Sequence, residues 1–369
     1  MSKAKFPDTT FLKAGSFYRN KILLWYKSNK EAWPWRQLWE EHGDPYHVWL
    51  SEVMLQQTVI KAALPAYIRF IDRFPKVQDL AVASTEEVRL QCAGLGYYRR
   101  FNLMHHAAQT LAPDGNFQGW PESYREWRIL PGVGDYTAAA ISSIVLGESV
   151  AVVDGNIERL MCRLLDIRLP PNLPYLKRGF GEHMTQLLGD AKPGDFNQGM
   201  MEFGQKVCTP TNPRCDSCPF KGGCRSYVAG SQHLAPQKKI KKDKVRVDAR
   251  MLILRNGQNI LLSRRPESSK FLKGTLGFPT FLKLSRSYSH DGELNFPEFD
   301  VKEADSVGKI NHTITHHQIS AEVLAKSFTE KRLETEHSWV PFRKVEAALV
   351  SSLDRKAWRA FVKNGVASS

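Results

Sequence analysis

Apolar residues recur at helical spacing through the first, longer part of this chain and at strand spacing through the last part. From about Phe11 to Tyr227 the sequence reads as helices punctuated by glycine and proline turns, with few β-branched runs. The stretch His47 to Tyr67 carries apolar residues at helical spacing, as does Tyr136 to Leu146. Asp44-Pro45 is a start signal for the first and Gly147 a stop signal for the second. Between Gly230 and Arg250 the character changes. Gln237 to Arg250 holds seven basic residues against two acids and reads as a solvated linker, able to lie on phosphates or to act as a plain charged tether. Asp248 to Leu254 then alternates before Asn256-Gly257, a hairpin signal, and Asn259 to Ser263 resumes the alternation. Ile319 to Leu324 and Ser338 to Val340 read as strands, and Val345 to Lys363 as a closing helix. The fold class expected is multidomain: an all-α region over 8–230, a basic linker over 231–246 and an α+β domain over 247–365.

Composition narrows the partners. The 369 residues suffice for two or three domains, and a hydrophobic content of 42% with 24% charged is ordinary for globular proteins. The formal net charge of +14 is not ordinary. It suits a polyanion, nucleic acid more than membrane, because no long apolar run or amphipathic basic anchor is present; simple solubility is the bland alternative. No disulfide framework and no signal or transit peptide is visible at the start, so a reducing, cytoplasmic setting is expected, with Cys92 and Cys162 as buried thiols.

Four motifs carry chemistry. Leu130-Pro131-Gly132-Val133-Gly134 runs into a helix near Asp135, and a Gly-x-Gly turn behind a helix N-terminus makes a sequence-independent phosphate grip. Val152-Val153-Asp154-Gly155-Asn156 holds an Asp that is either a helix cap or a catalytic carboxylate. Glu52 stands in an otherwise apolar helix, where a carboxyl is costly unless it is paired or working. Finally, Cys208, Cys215, Cys218 and Cys224 are spaced C-x6-C-x2-C-x5-C. Four thiolates imply zinc or an iron–sulfur cluster, and the wide gaps suit a [4Fe–4S] cluster better than one ion.

The cysteine spacing resembles the cluster loop of endonuclease III-type DNA glycosylases, and LPGVG with its following helix resembles their helix–hairpin–helix. Ser51 to Thr58 (SEVMLQQT) resembles the corresponding segment of adenine DNA glycosylases of the MutY type. The resemblance implies that Glu52 protonates adenine at N7 while Asp154 stabilises the sugar cation; we place Tyr136 and Asn156 in the same catalytic group. Bifunctional relatives carry a Schiff-base lysine where this chain has Tyr136, so a monofunctional glycosylase is implied. By the same resemblance Tyr97 is the wedge in the duplex, Gln57 and Thr58 meet the opposing base, and Arg36, Leu55 and Gln198 line the adenine pocket, with Gly132 and Gly134 on the DNA backbone. Gln37 to Gly43 lengthens the link after Arg36. The last domain is similar to the Nudix-like domain of these enzymes. It lacks the paired glutamates of a magnesium-binding Nudix box, counted from Gly274 or Gly292, and offers Thr315 and His316 to 8-oxoguanine, with His317 following; His312 and His317 are equally readable as surface residues. The expected partner is double-stranded DNA bearing A:8-oxoguanine or A:G mispairs, bound by a monomer with no membrane role. Two alternatives compete: an endonuclease III-like glycosylase/AP lyase on oxidised pyrimidines, opposed by Tyr136, and a non-catalytic iron–sulfur DNA-binding protein, opposed by Glu52 and Asp154.

Overall fold

The computed structural model describes Phe6 and residues 15–238, 243–266, 268–284, 304–328 and 336–364. The expected bounds at residues 8 and 365, the start at Phe11, part of the linker (239–242) and Gly292 lie outside the described residues. Up to residue 238 the described chain is helical, without a strand. Its helices are α1 (Gly15–Asn29), α2 (Pro34–His42), α3 (Pro45–Leu55), α4 (Ile60–Arg73), α5 (Val77–Val82), α6 (Thr85–Gln91) and α7 (Arg99–Leu111). There follow α8 (Tyr124–Ile129), α9 (Asp135–Ile141), α10 (Gly155–Leu165), α11 (Pro174–Leu188), α12 (Pro193–Lys206) and α13 (Arg225–Val228).

Local chemistry explains several boundaries. Asp44 caps α3 by accepting from Tyr46 N at 2.9 Å, and Pro45 follows at the first helical position, where no amide proton is needed. The expected stretch His47 to Tyr67 is not one helix: α3 stops at Leu55, and Gln57 takes a left-handed φ of 57° before α4 begins. Apolar periodicity continued across the break and hid it. The second stretch ends at Gly147 as expected (φ 68°), but α9 widens to a π-type turn over Ser142–Leu146 on the way.

By backbone proximity the chain forms two units. One comprises residues 1–60, 74–82 and 106–240; the other takes 61–73, 83–105 and 241–369. In the first, α10, α11 and α12 build a core around Leu160, Met161, Phe180, Met184, Phe196 and Phe203. Gly204 is required there, since a Cβ on it would stand 2.7 Å from Asn156 Cβ.

The second unit is built on a seven-stranded sheet of order β3-β2-β1-β6-β5, with β4 on β1 and β7 on β2. Its strands are β1 (Val245–Asn256), β2 (Asn259–Arg264), β3 (Leu276–Gly277), β4 (Thr280–Leu284), β5 (Asp305–Ile314), β6 (His317–Ser327) and β7 (His337–Pro341). The Asn256-Gly257 turn joins β1 to β2 as expected, and β1 with β6 is parallel. The closing helix is two: α14 (Phe342–Ala348) and α15 (Ser352–Asn364), broken where Ser351 caps α15 through Leu353 N and Asp354 N. These helices and one sheet face enclose a core of Met251, Ile253, Phe278, Val323, Trp358 and Phe361. Within it Arg265 grips the fully buried Asp354 at 2.8 and 3.1 Å. Helical segments early in the chain belong to this unit: the buried Tyr98 donates to Val350 O, and Arg89 to Gly274 O.

Candidate active site

The α3 helix is buried from Pro45 to Met54, so Glu52 has no solvent to charge into and is only 8% exposed. Burial pushes its carboxyl up to about 7, with the charge of Asp154 adding to the rise; a hydrogen bond to Tyr136 and the Arg36 charge oppose it. Asp154 is both things its sequence context allowed. It caps α10, its Oδ1 accepting from Asn156 N at 3.0 Å and Ile157 N at 2.8 Å, and it lies on a cavity wall. Asn156 Nδ2 donates to Asp154 Oδ2 at 2.6 Å. Burial raises the Asp154 pKa, and these three hydrogen bonds hold the rise in check by favouring the anion. The Tyr136 phenol, pushed well above its ordinary value by burial and by both carboxylates, lies 3.3 Å from Met201 Sδ.

These groups share one cavity of about 660 Å³ with Arg36, Leu55, Gln57, Thr58 and Gln198. Arg36 stands on the wall of this cavity. Arg36 Nε donates to Gln198 Oε1 at 2.8 Å, Nη1 pairs with Glu202 at 2.5 Å, and the guanidinium lies over Tyr26. Residues 37–42 form the rest of α2, whose Trp39 and Glu40 also line the cavity. Glu202 went unnoticed in the sequence, although a lone acid one helical turn after Gln198 in the run GMMEF is the same signal that drew attention to Glu52.

Other candidate residues lie off this cavity. Gly132, with φ 78°, and Gly134, the cap residue of α9, form the hairpin just before Tyr136. Tyr97 belongs to the second unit, with left-handed φ 51° and its side chain half exposed. Thr315 (φ 56°) and the half-buried His316 occupy the β5–β6 turn. His317 is not a surface residue: it is buried edge-on to the Phe271 ring at 4.9 Å, because it starts the core-facing row of β6, whereas His312 is half-buried.

The four cysteines line a separate small pocket with Arg163 and Leu164. Burial pushes the Cys218 thiol up to about 12, and the neighbouring thiols add to it; Cys215 and Cys224 are raised for the same reasons. The buried Arg163 donates to Thr209 O at 2.6 Å, Pro210 O at 2.9 Å and Cys208 Sγ at 3.3 Å, fixing the loop backbone and one sulfur together. Among the described residues no three His, Cys, Asp or Glu converge closely enough to hold a single ion. Four cysteine sulfurs gathered around one pocket, with the Arg163 guanidinium beside them, are the donor set that an iron–sulfur cluster takes. Cys92 and Cys162 are buried, as expected.

Residues 50–171 match the family model described as HhH-GPD superfamily base excision DNA repair protein. The chain is 41% identical over 216 residues to an adenine DNA glycosylase of Mus musculus, covering 57% of this chain and 42% of that protein. It is 30% identical over 266 residues to an adenine DNA glycosylase of Buchnera aphidicola subsp. Schizaphis graminum, covering 70% of this chain and 74% of that one. The chain thus spans less than half the length of the mammalian relatives it matches. Among solved structures, a thermostable thymine-DNA glycosylase is similar with a TM-score of 0.52 and 25% identity, over 60% of this chain and all of that one.

Proposed function

The chain belongs to the adenine DNA glycosylase family, and from that premise we propose that it excises adenine mispaired with 8-oxoguanine or guanine from duplex DNA. One observation carries the reading: a buried carboxyl poised near neutrality, Glu52, shares a cavity with a hydrogen-bonded carboxylate, Asp154. Two carboxyl groups in unlike surroundings can divide acid and anion roles between them. In this reading Glu52 gives its proton to the adenine ring as the bond to C1′ breaks. Asp154, held by the α10 amides and Asn156, faces the positive charge that develops on the sugar. Water then adds to C1′ and its proton returns to Glu52. Tyr136 hydrogen-bonds Glu52 and offers no amine for a Schiff base, so strand cleavage by this chain is not expected.

Arg36, Leu55 and Gln198 receive the base in this proposal, Gln57 and Thr58 face the opposing nucleotide, and Gly132 and Gly134 hold the backbone. Tyr97 wedges the duplex, and Thr315 with His316 reads 8-oxoguanine from a Nudix-like domain over 247–365, following the helical region and the basic linker. A cytoplasmic setting belongs to the same reading; among the described residues no helix is long and apolar enough to cross a membrane. Cys208, Cys215, Cys218 and Cys224 would hold a [4Fe–4S] cluster, which when bound supplies an iron–thiolate tie that orders the 208–224 loop. Arg163 anchors that loop from inside.

An incision assay on duplexes with A opposite 8-oxoguanine tests the function. Adenine release with strand scission only after alkali is expected. Comparable activity on thymine glycol, or borohydride trapping as strong as a lysine-bearing lyase gives, would refute it.

A further inference from the structure

Apart from Arg36, the α2 wall of the cavity has no role in the chemistry above. Along α2, Trp35, Arg36, Trp39 and Glu40 line the cavity, whereas Gln37, Leu38, Glu41 and His42 do not. That alternation follows the helical period, so α2 turns a single face to the cavity. Arg36 is tied to Gln198 and Glu202, and Glu40 is tied to Lys30 at 2.9 Å, which holds the face at two points. Indoles flank these ties. Trp33 and Trp35 lie nearly parallel, with centroids 5.5 Å apart and an interplanar angle of 16°. Trp39 is half-buried, one turn beyond Trp35 and Arg36. Helix formation asks for none of these rings: the cap position, Trp33, makes no side-chain cap hydrogen bond. A cavity of about 660 Å³ also leaves room beyond a single purine base.

We propose that Trp39 is a specificity-determining residue whose indole gives the extruded purine base a stacking face, both before the bond breaks and while the free base departs. The aromatic face selects a flat bicyclic ring, and the neighbouring Arg36–Gln198–Glu202 group supplies its polar edge contacts. This inference rests on the reading that a base enters this cavity.

The test uses the full chain and three variants, Trp39→Ala, Trp39→Leu and Trp39→Phe. For Ala and Leu, single-turnover adenine excision falls about tenfold, as loss of a base-stacking aromatic predicts, while Phe retains most of the rate. Inhibition by free adenine weakens in the same order. Affinity for a duplex carrying a tetrahydrofuran abasic analogue, which puts no base in the cavity, stays at the wild-type level in all three. Loss of that affinity in step with the rate would make Trp39 a packing residue and overturn the proposal. Wild-type excision and adenine inhibition in Trp39→Ala would also overturn it. The glycosylase reading fails separately, if the wild-type chain releases no adenine. Equilibrium binding of labelled adenine to wild type and Trp39→Ala then decides the Trp39 proposal alone, with equal affinity sinking it.

Discussion

Arg159 ties the carboxylate side of the cavity to the cysteine loop through Asn156. Its Nη2 donates to Asn156 Oδ1 at 3.1 Å and to Gly204 O at 2.7 Å, and its Nε donates to Cys208 O at 2.8 Å. The Asn156 amide is thereby oriented with its nitrogen toward Asp154, at 2.6 Å.

Asn156→Ala therefore removes one of three hydrogen bonds to Asp154. A hydrogen bond to a charged group contributes about 1.5–3 kcal/mol, so single-turnover excision should fall at least about tenfold. Binding to an abasic-analogue duplex should persist. A rate within twofold of wild type would remove Asn156 from the catalytic group.

In the proposed mechanism Glu52 acts in its acid form, and its pKa is about 7, so the excision rate should decline as pH rises through that value. Stability moves in the same direction. The folded pKa exceeds the ordinary 4.5, so the folded state binds the proton more tightly than the unfolded chain. That stabilisation is complete below about 4.5 and is lost as pH rises to about 7. Melts of wild type against Glu52→Gln should diverge through this window and run parallel above it.

Glu52→Gln and Asp154→Asn should each abolish turnover while DNA binding survives. Gel-shift and single-turnover measurements on the same preparations separate the two effects. Wild-type rates in either variant would refute the assigned roles.

In the second unit, Gly277→Ala should destabilise the fold by about 1–3 kcal/mol, the range for overpacking a core. A Cβ there would come within 2.6 Å of Asp354 Oδ1 and closer still to Arg265. Denaturant midpoints check this, and an unchanged midpoint would mean that the Arg265–Asp354 pair yields at no cost.

What could be read from the sequence was local. Asp44-Pro45 and Asn256-Gly257 announce a cap and a turn through their own backbone chemistry, and the structure has both. Glu52 was conspicuous because an acid in an apolar helix conflicts with burial. Less legible were features made by distant partners. The break after Leu55 carries no glycine or proline, and left-handed Gln57 gave no signal. β5 escaped notice because Asp305–Ile314 is a half-exposed strand of mostly polar residues, defined by its pairing with β6. The grouping of residues 83–105 with the C-terminal strands depends on contacts such as Tyr98 with Val350, more than two hundred residues apart in sequence.

The α12 helix carries Gln198 and Glu202 on the cavity, Met201 beside Tyr136, and Gly204 against Asn156. In the proposed mechanism, base selection and bond cleavage therefore share one helix. Redesigning this pocket for another base by changing α12 would disturb Asp154 in the same move. An engineer seeking a new specificity should leave residues 193–206 untouched and work on α2, at positions other than Arg36.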